Sequence, residues 1–108
     1  MPRAFAAAME AVSYRPSAFA YSMLKSAADN GAAPPAQLIP YFEQRAGDLA
    51  RMVPQRPGGY EMLECRQMVA AALATLYQRE GRTDAAEKWK AVADAAKQDM
   101  AAMLAAWQ

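Results

Sequence analysis

The second half of the chain, from Tyr60 to Trp107, consists of two long runs of helical periodicity that meet at Arg79-Glu80-Gly81-Arg82-Thr83. In the first run Met62, Cys65, Val69, Leu73 and Leu76 recur three and four residues apart, which keeps one stripe turned toward a packing partner. In the second, Trp89, Ala93, Ala96, Met100, Met103 and Trp107 form a heptad-like seam, and Thr83 predicts an N-cap before Asp84. Asp84 with Lys88, and Lys90 with Asp94, sit four apart on the solvated side, where each pair adds roughly 0.2–0.5 kcal/mol. A connection this short, with a glycine inside it, returns the chain on itself, so residues 60–107 predict a long antiparallel helical hairpin. About a quarter of the 108 residues are alanine, and β-branched residues are few, so nothing competes with helix elsewhere either. The chain reads as one all-α domain over residues 1–108, a small helical bundle of four to five helices that ends in the hairpin.

Upstream the helices are interrupted. Residues 1–15 predict an N-terminal arm containing a short helix, with Phe5, Met9 and Val12 spaced by four and three. Residues 16–53 predict proline-interrupted helices. Pro16 suits a first turn, Asn30-Gly31 supplies a left-handed stop, and Phe19, Met23 and Ala27 form the expected stripe with Ala20 and Leu24 alongside. Gln37-Leu38-Ile39 can make one turn before Pro40 restarts the chain as a helix through about Met52, lined by Phe42, Ala46, Leu49 and Val53. Gly47 weakens that helix by about 1 kcal/mol relative to alanine. The segment Pro54-Gln55-Arg56-Pro57-Gly58-Gly59 is the strongest loop signal and divides the two halves.

Several chemistries are excluded by what the sequence lacks. It contains no histidine, which removes the commonest general base, the commonest zinc ligand and every Ser-His or Cys-His nucleophile pair. A single cysteine, Cys65, admits neither an internal disulfide nor a sulfur-rich metal site, and it reads as a small buried hydrophobe in a reducing compartment. Glu61 and Glu64 share a helical turn, where a helix start favours acidic residues without any catalytic role. Pro57-Gly58-Gly59 lacks the Lys-Ser/Thr of a phosphate loop, and the one turn spaced for a helix-turn-helix, Ala27 to Gly31, is followed by Pro34, Pro35 and Pro40. No catalytic residue, cofactor, metal site or small-molecule substrate is therefore expected. A net charge of +1 supplies no general field for nucleic acid or an anionic membrane, and no run of apolar residues is long enough to span one.

Spacings in the second half resemble known families. Leu73-Ala74, Tyr77, Gly81, Ala86 and Ala93 are spaced as in one tetratricopeptide repeat, over residues 67–100. The pattern departs at Ala70, where that repeat has tryptophan, at Trp89-Lys90, where its aromatic is shifted by one, and at Gln98, where it has proline. One repeat cannot bury its own face, and no second copy appears upstream. The size of the chain, the Tyr60-Glu61-Met62-Leu63 start and the Ala-rich last helix with a tryptophan and Lys88, Lys90 and Lys97 also resemble the small helical subunits of bacteriophage head-to-tail adaptors (connectors).

That second resemblance implies a non-enzymatic structural subunit of a larger assembly, in a virion, with copies of itself and a portal or tail component as partners. The candidate hydrophobic anchors are Phe5, Phe19, Tyr21 and Trp107, because a few buried aromatics dominate most interfaces. Arg45, Arg51 and Arg56 are the candidate phosphate or partner contacts, although Arg45 and Arg51 fall about 120° apart around a helix. Nucleic acid enters only as a non-specific contact. The alternatives are a small cytoplasmic binding module or secretion-type chaperone that holds a partner helix in the hairpin groove, and a regulator acting on a nucleic-acid complex through the arginines.

Overall fold

The computed structural model describes residues 9–10, 17–52 and 59–107, with Trp107 described by its backbone alone. Among the described residues the chain forms four helices and no strand: α1 (Ala18–Asp29), α2 (Pro35–Ala50), α3 (Gly59–Arg79) and α4 (Thr83–Trp107). The expected arm of residues 1–15 and the loop of 54–59 lie almost wholly outside the described residues; Met9 packs against the core, and Gly59, expected in the loop, is instead the buried first residue of α3.

Local signals set both ends of α1, the end of α3 and the start of α4. Ser17 is extended, and its hydroxyl accepts from the Ala20 N–H at 3.4 Å, capping α1. At the other end Ala32 N–H donates to the Ala27 carbonyl and Gly31 N–H to that of Ala28, the paired bonds of a Schellman ending. The same pair closes α3, from Arg82 to Tyr77 and from Gly81 to Gln78. Both endings need a left-handed residue, and Gly31 (φ 76°) and Gly81 (φ 74°) supply it. Helix α4 begins at Thr83 itself: the Arg82 carbonyl already accepts from Ala86 N–H, so the helix opens one residue earlier than the expected Thr83 cap.

Pro40 does not restart a helix. α2 runs through it from Pro35, so Pro40 removes one interior bond, the one its nitrogen would have made to the Ala36 carbonyl. Ala36 and Pro40 are both exposed, which leaves that carbonyl to water and makes the interruption tolerable. The buried stripe of α1 differs from expectation in part. Ala20, Tyr21, Leu24 and Ala28 face inward and Met23 and Ala27 pack half-buried at the edge, while Phe19 is 77% exposed, so the inward face is rotated toward Ala20 and Leu24 and leaves Phe19 outside.

α3 is the centre of the fold, and α1, α2 and α4 each pack on it. Its buried residues include Leu63, Cys65, Val69, Ala70, Leu73, Leu76 and Tyr77, which spread over a wider arc than a one-sided surface helix uses. Leu24, Leu38, Phe42 and Leu49 complete the core, each burial contributing about 1.5–3 kcal/mol. α4 contributes only alanines to the fully buried set, Ala86, Ala93 and Ala96, and so lies close against α3. No helix among the described residues is long and apolar enough to cross a membrane.

Polar ties from α3 fix the directions of the first two helices. Glu61 Oε2 accepts from Ala18 N–H at 3.1 Å, at the start of α1, and Arg79 donates to the carbonyls of Ala28 and Asp29, at its end. α1 therefore runs parallel to α3. In α2 the order is reversed: Tyr77 donates to Glu43, while Arg66 Nε and Nη2 donate to the Leu49 carbonyl at 3.0 and 2.7 Å, and Nη2 also to that of Met52. α2 is antiparallel to α3. The bonds from Glu61, Arg66 and Arg79 all go to backbone groups at helix ends, adding to the turn bonds that the Ala28 and Leu49 carbonyls already accept from Gly31 and Met52 N–H, and each places charge where the helix dipole favours it.

Candidate functional site

A groove of about 490 Å³ lies between α2 and α4, with α3 beneath it. Ala46, Gly47, Ala70 and Ala96 give it a floor of small side chains, and Trp89 and Val92 form a wall. Its polar residues are Glu43, Arg66 and Asp99. The Arg66 guanidinium is already bonded to the end of α2, whereas Glu43 and Asp99 are exposed carboxylates. Because the walls are helices, the backbone donors and acceptors beside the groove are largely satisfied within them.

A second surface is the end of α4. After Ala96 no described residue is fully buried, and after Asp99 none up to Trp107 is charged. Met100 and Met103 are half-buried, Leu104 is 42% exposed, and the alanines between and beyond them are exposed. At 100° per residue, positions 100, 101, 104 and 107 fall within about 120° on one face of the helix.

The anticipated anchors separate. Phe19 projects at 77% exposure from the first turn of α1. Tyr21 is 3% exposed inside the chain's own core, where burial pushes its hydroxyl pKa up, so its ring is not available to a partner. Trp107 belongs to α4, its side chain outside the described residues, and Phe5 lies outside them altogether.

The anticipated arginine cluster also changes character. Although Arg45 and Arg51 lie well apart around the helix, Asp48 sits between them and binds both, Arg45 Nη2 at 3.1 Å to Oδ2 and Arg51 to Oδ1. Arg45 is mostly buried and stacks over the Tyr41 ring, 5.6 Å from its centroid. One carboxylate thus offsets part of the charge that a phosphate contact would need. Arg56 lies outside the described residues.

Cys65 is fully buried, and burial, followed by the nearby Glu61 and Glu64 carboxylates, pushes its thiol up to about 12. A thiol held that far above neutrality is a poor nucleophile. Among the described residues no group of three or more His, Cys, Asp or Glu side chains is placed to hold a metal ion.

Hydrophobic periodicity singles out neither the tying residues Glu61, Arg66 and Arg79 nor the groove. One signal for Arg66 is present: it falls between the stripe residues Cys65 and Val69, where a long charged side chain needs a partner at the edge of the core. No protein-family model, curated protein or solved structure matches this chain. The bacteriophage reading is corrected on that finding: a virion, head-to-tail adaptor or connector assignment has no match behind it, and what stands of that reading is the all-α bundle itself.

Proposed function

We propose that the protein is a non-enzymatic structural subunit that assembles with copies of itself through one end of an antiparallel hairpin formed by α3 and α4. The carrying observation is the apolar end of α4, where Leu104 is 42% exposed on a segment with no charge after Asp99. Isolated exposed leucines are ordinary, but a continuous uncharged run on one helix face is the kind of surface that another subunit covers.

The hairpin is supported by the three residues, Glu80 to Arg82, that separate two helices packed on each other more extensively than on anything else. In an antiparallel pair the end of α4 lies beside the start of α3. The Glu61 bond to Ala18 N–H brings the start of α1 to the same place, so the exposed Phe19 and Leu104 share one end of the bundle. The non-enzymatic reading is supported by a sequence without histidine and by a cysteine whose thiol is buried and protonated.

Light scattering on the full-length protein tests the proposal. The expected result is an oligomer whose mass falls to that of the monomer in Leu104→Glu and decreases in Phe19→Ser. Both side chains are exposed, so neither change disturbs the core. A monomer at every concentration, or an oligomer unaffected by both substitutions, would overturn it. A second reading, a binding module for a partner helix, is favoured by the groove.

A further inference from the structure

We infer that the groove between α2 and α4 is a docking site for a single amphipathic helix of a partner protein, one whose apolar face is bracketed by lysine or arginine. The occupant's shape follows from the walls. With helices on both sides and α3 beneath, the groove offers no sheet edge, and an extended peptide laid in it would lose water from backbone groups without gaining partners for them. A helix brings its backbone already satisfied. The floor is built from Ala46, Gly47, Ala70 and Ala96, small enough for the occupant's side chains to reach the helices beneath, with Trp89 and Val92 as the apolar wall.

The occupant's charge follows from the edges. Glu43 accepts the Tyr77 hydroxyl bond at one oxygen and is exposed to solvent, and Asp99 is exposed on α4. Arg66, the groove's cation, points its guanidinium at the carbonyls of Leu49 and Met52. Arg51, exposed beside Gly47, is paired with Asp48, so the rim is left with two exposed carboxylates and two arginines already bonded within the chain, and it selects basic residues over acidic ones. Their separation adds a length. Glu43 is level with Tyr77 near the end of α3. If α3 and α4 are antiparallel, as proposed above, Asp99 is level with the beginning of α3, and the two carboxylates bracket an apolar trough about 15–20 Å long. That spans about three turns of the docked helix. This placement rests on the hairpin reading, but the groove and its charge do not rest on self-association.

The test uses the full-length protein with Trp107→Phe, which leaves Trp89 in the groove wall as the only tryptophan. The probe is a synthetic leucine-alanine helix about four turns long with lysines at both ends, compared with the same peptide ended by glutamates. Trp89 emission should shift to the blue with the lysine-ended peptide, which should bind at least about tenfold more tightly than the glutamate-ended one. Glu43→Gln with Asp99→Asn should remove most of that preference, the glutamine still accepting the Tyr77 bond. Val92→Glu, at an exposed position where the fold tolerates it, should abolish the shift, as should Gly47→Leu.

Failure of both peptides to move Trp89, equal affinity for the two, or binding that survives Val92→Glu would each overturn the inference. Sedimentation of the same samples separates it from the proposal above. If Gly47→Leu lowers the mass of the protein by itself, the occupant is a second copy and the partner assigned here is wrong. If Leu104→Glu dissociates an oligomer without changing peptide binding, both readings stand.

Discussion

α1 and α2 are attached to α3 in a different way from α4. The first two helices are held at named points by polar side chains, with Glu61 and Arg79 at the two ends of α1, and Arg66 and Tyr77 along α2. α4 instead brings alanines, Ala86, Ala93 and Ala96, against the centre of the fold. α1 and α2 are 12 and 16 residues long, and α2 contains Pro40, so neither would persist alone in water. α4, at 25 residues and rich in alanine, is nearer to doing so. Where intrinsic helix stability is low, the structure supplies side chains that complete the helix ends. Where it is high, close apolar contact is enough.

The largest way to break the contrast is to remove what both modes share, the common core. Phe42 is completely buried among residues of α1, α2 and α3. Phe42→Ala should cost about 3–5 kcal/mol, most of the stability of a domain this small, and urea denaturation would show a midpoint lowered accordingly. A loss below about 1 kcal/mol would mean that the N-terminal half adds little to the cooperative unit.

Alkaline pH separates the two modes without mutation, because Tyr21 and Cys65 are buried, and Tyr41 half-buried, in the part of the core that holds α1 and α2. Cys65 is raised from 9.0 to about 12, mainly by burial, and both tyrosines are raised for the same first reason. An acid whose folded pKa lies above its unfolded value stabilises the fold fully below the unfolded value. That contribution is lost as pH rises through the window between the two. For Cys65 the window runs from pH 9 to about 12, at up to about 1.4 kcal/mol per unit. The urea midpoint should therefore be flat from about pH 7 to 8.5 and fall steeply by about pH 11. A Cys65→Ala protein should lose part of that slope, and an unchanged slope would remove the thiol from the account.

Arg66 tests the polar ties directly. Arg66→Met keeps most of the aliphatic length but removes the bonds to Leu49 and Met52, which should cost about 1–3 kcal/mol, because carbonyls at a helix end lose charged donors. Amide hydrogen exchange should quicken at the end of α2 and change little in α4. Uniform acceleration across all four helices would show that Arg66 supports the whole core rather than one helix end.

These ties also mark where reading the sequence reaches its limit. The stripe Cys65, Val69, Leu73 and Leu76, the short turn at Gly81 and the all-α class follow from spacing and propensity, because each depends on residues close together along the chain. Phe19 and Tyr21 look alike as anchors in the sequence, although one is exposed and the other buried. In a helix rich in alanine a small rotation changes which large side chain faces inward, and the packing of α3 decides it. Pro40 suggests a break because the rule about proline is local, whereas the exposure of the Ala36 carbonyl depends on where α2 lies. The groove is legible only as a possibility of the hairpin, since its second wall comes from α2.

Gly81 sharpens the comparison at the connection between α3 and α4. Its φ of 74° lies in the left-handed region, and no atom lies within 4 Å of the position a Cβ would take, so Gly81→Ala should cost about 1 kcal/mol through the backbone alone. Thermal unfolding should shift by a few degrees, roughly 4–8 °C per kcal/mol for a domain of this size. Gly31→Ala, at the equivalent ending of α1, should match it. A clearly smaller effect at Gly31 would mean that Arg79, bonded beside it, holds that end whatever the turn residue.

The smallest effect has the opposite sign. Gly47 lies within α2 at an ordinary helical φ, where an added Cβ would meet only Arg51 Nη1, at 3.8 Å. Gly47→Ala should therefore stabilise the protein by about 0.5–1 kcal/mol, the propensity difference in a helix interior. Gly47 also lines the groove, so the same methyl group narrows the space offered to a docked helix. Urea denaturation and peptide titration of this one variant should then move in opposite directions, with stability up and affinity for the lysine-ended peptide down. If both rise together, α2 gains order that helps the site, and glycine at position 47 is not there to make room. If stability rises and affinity is unchanged, the docked helix does not approach α2 as closely as the groove permits, and Trp89 and Val92 on α4 carry the contact.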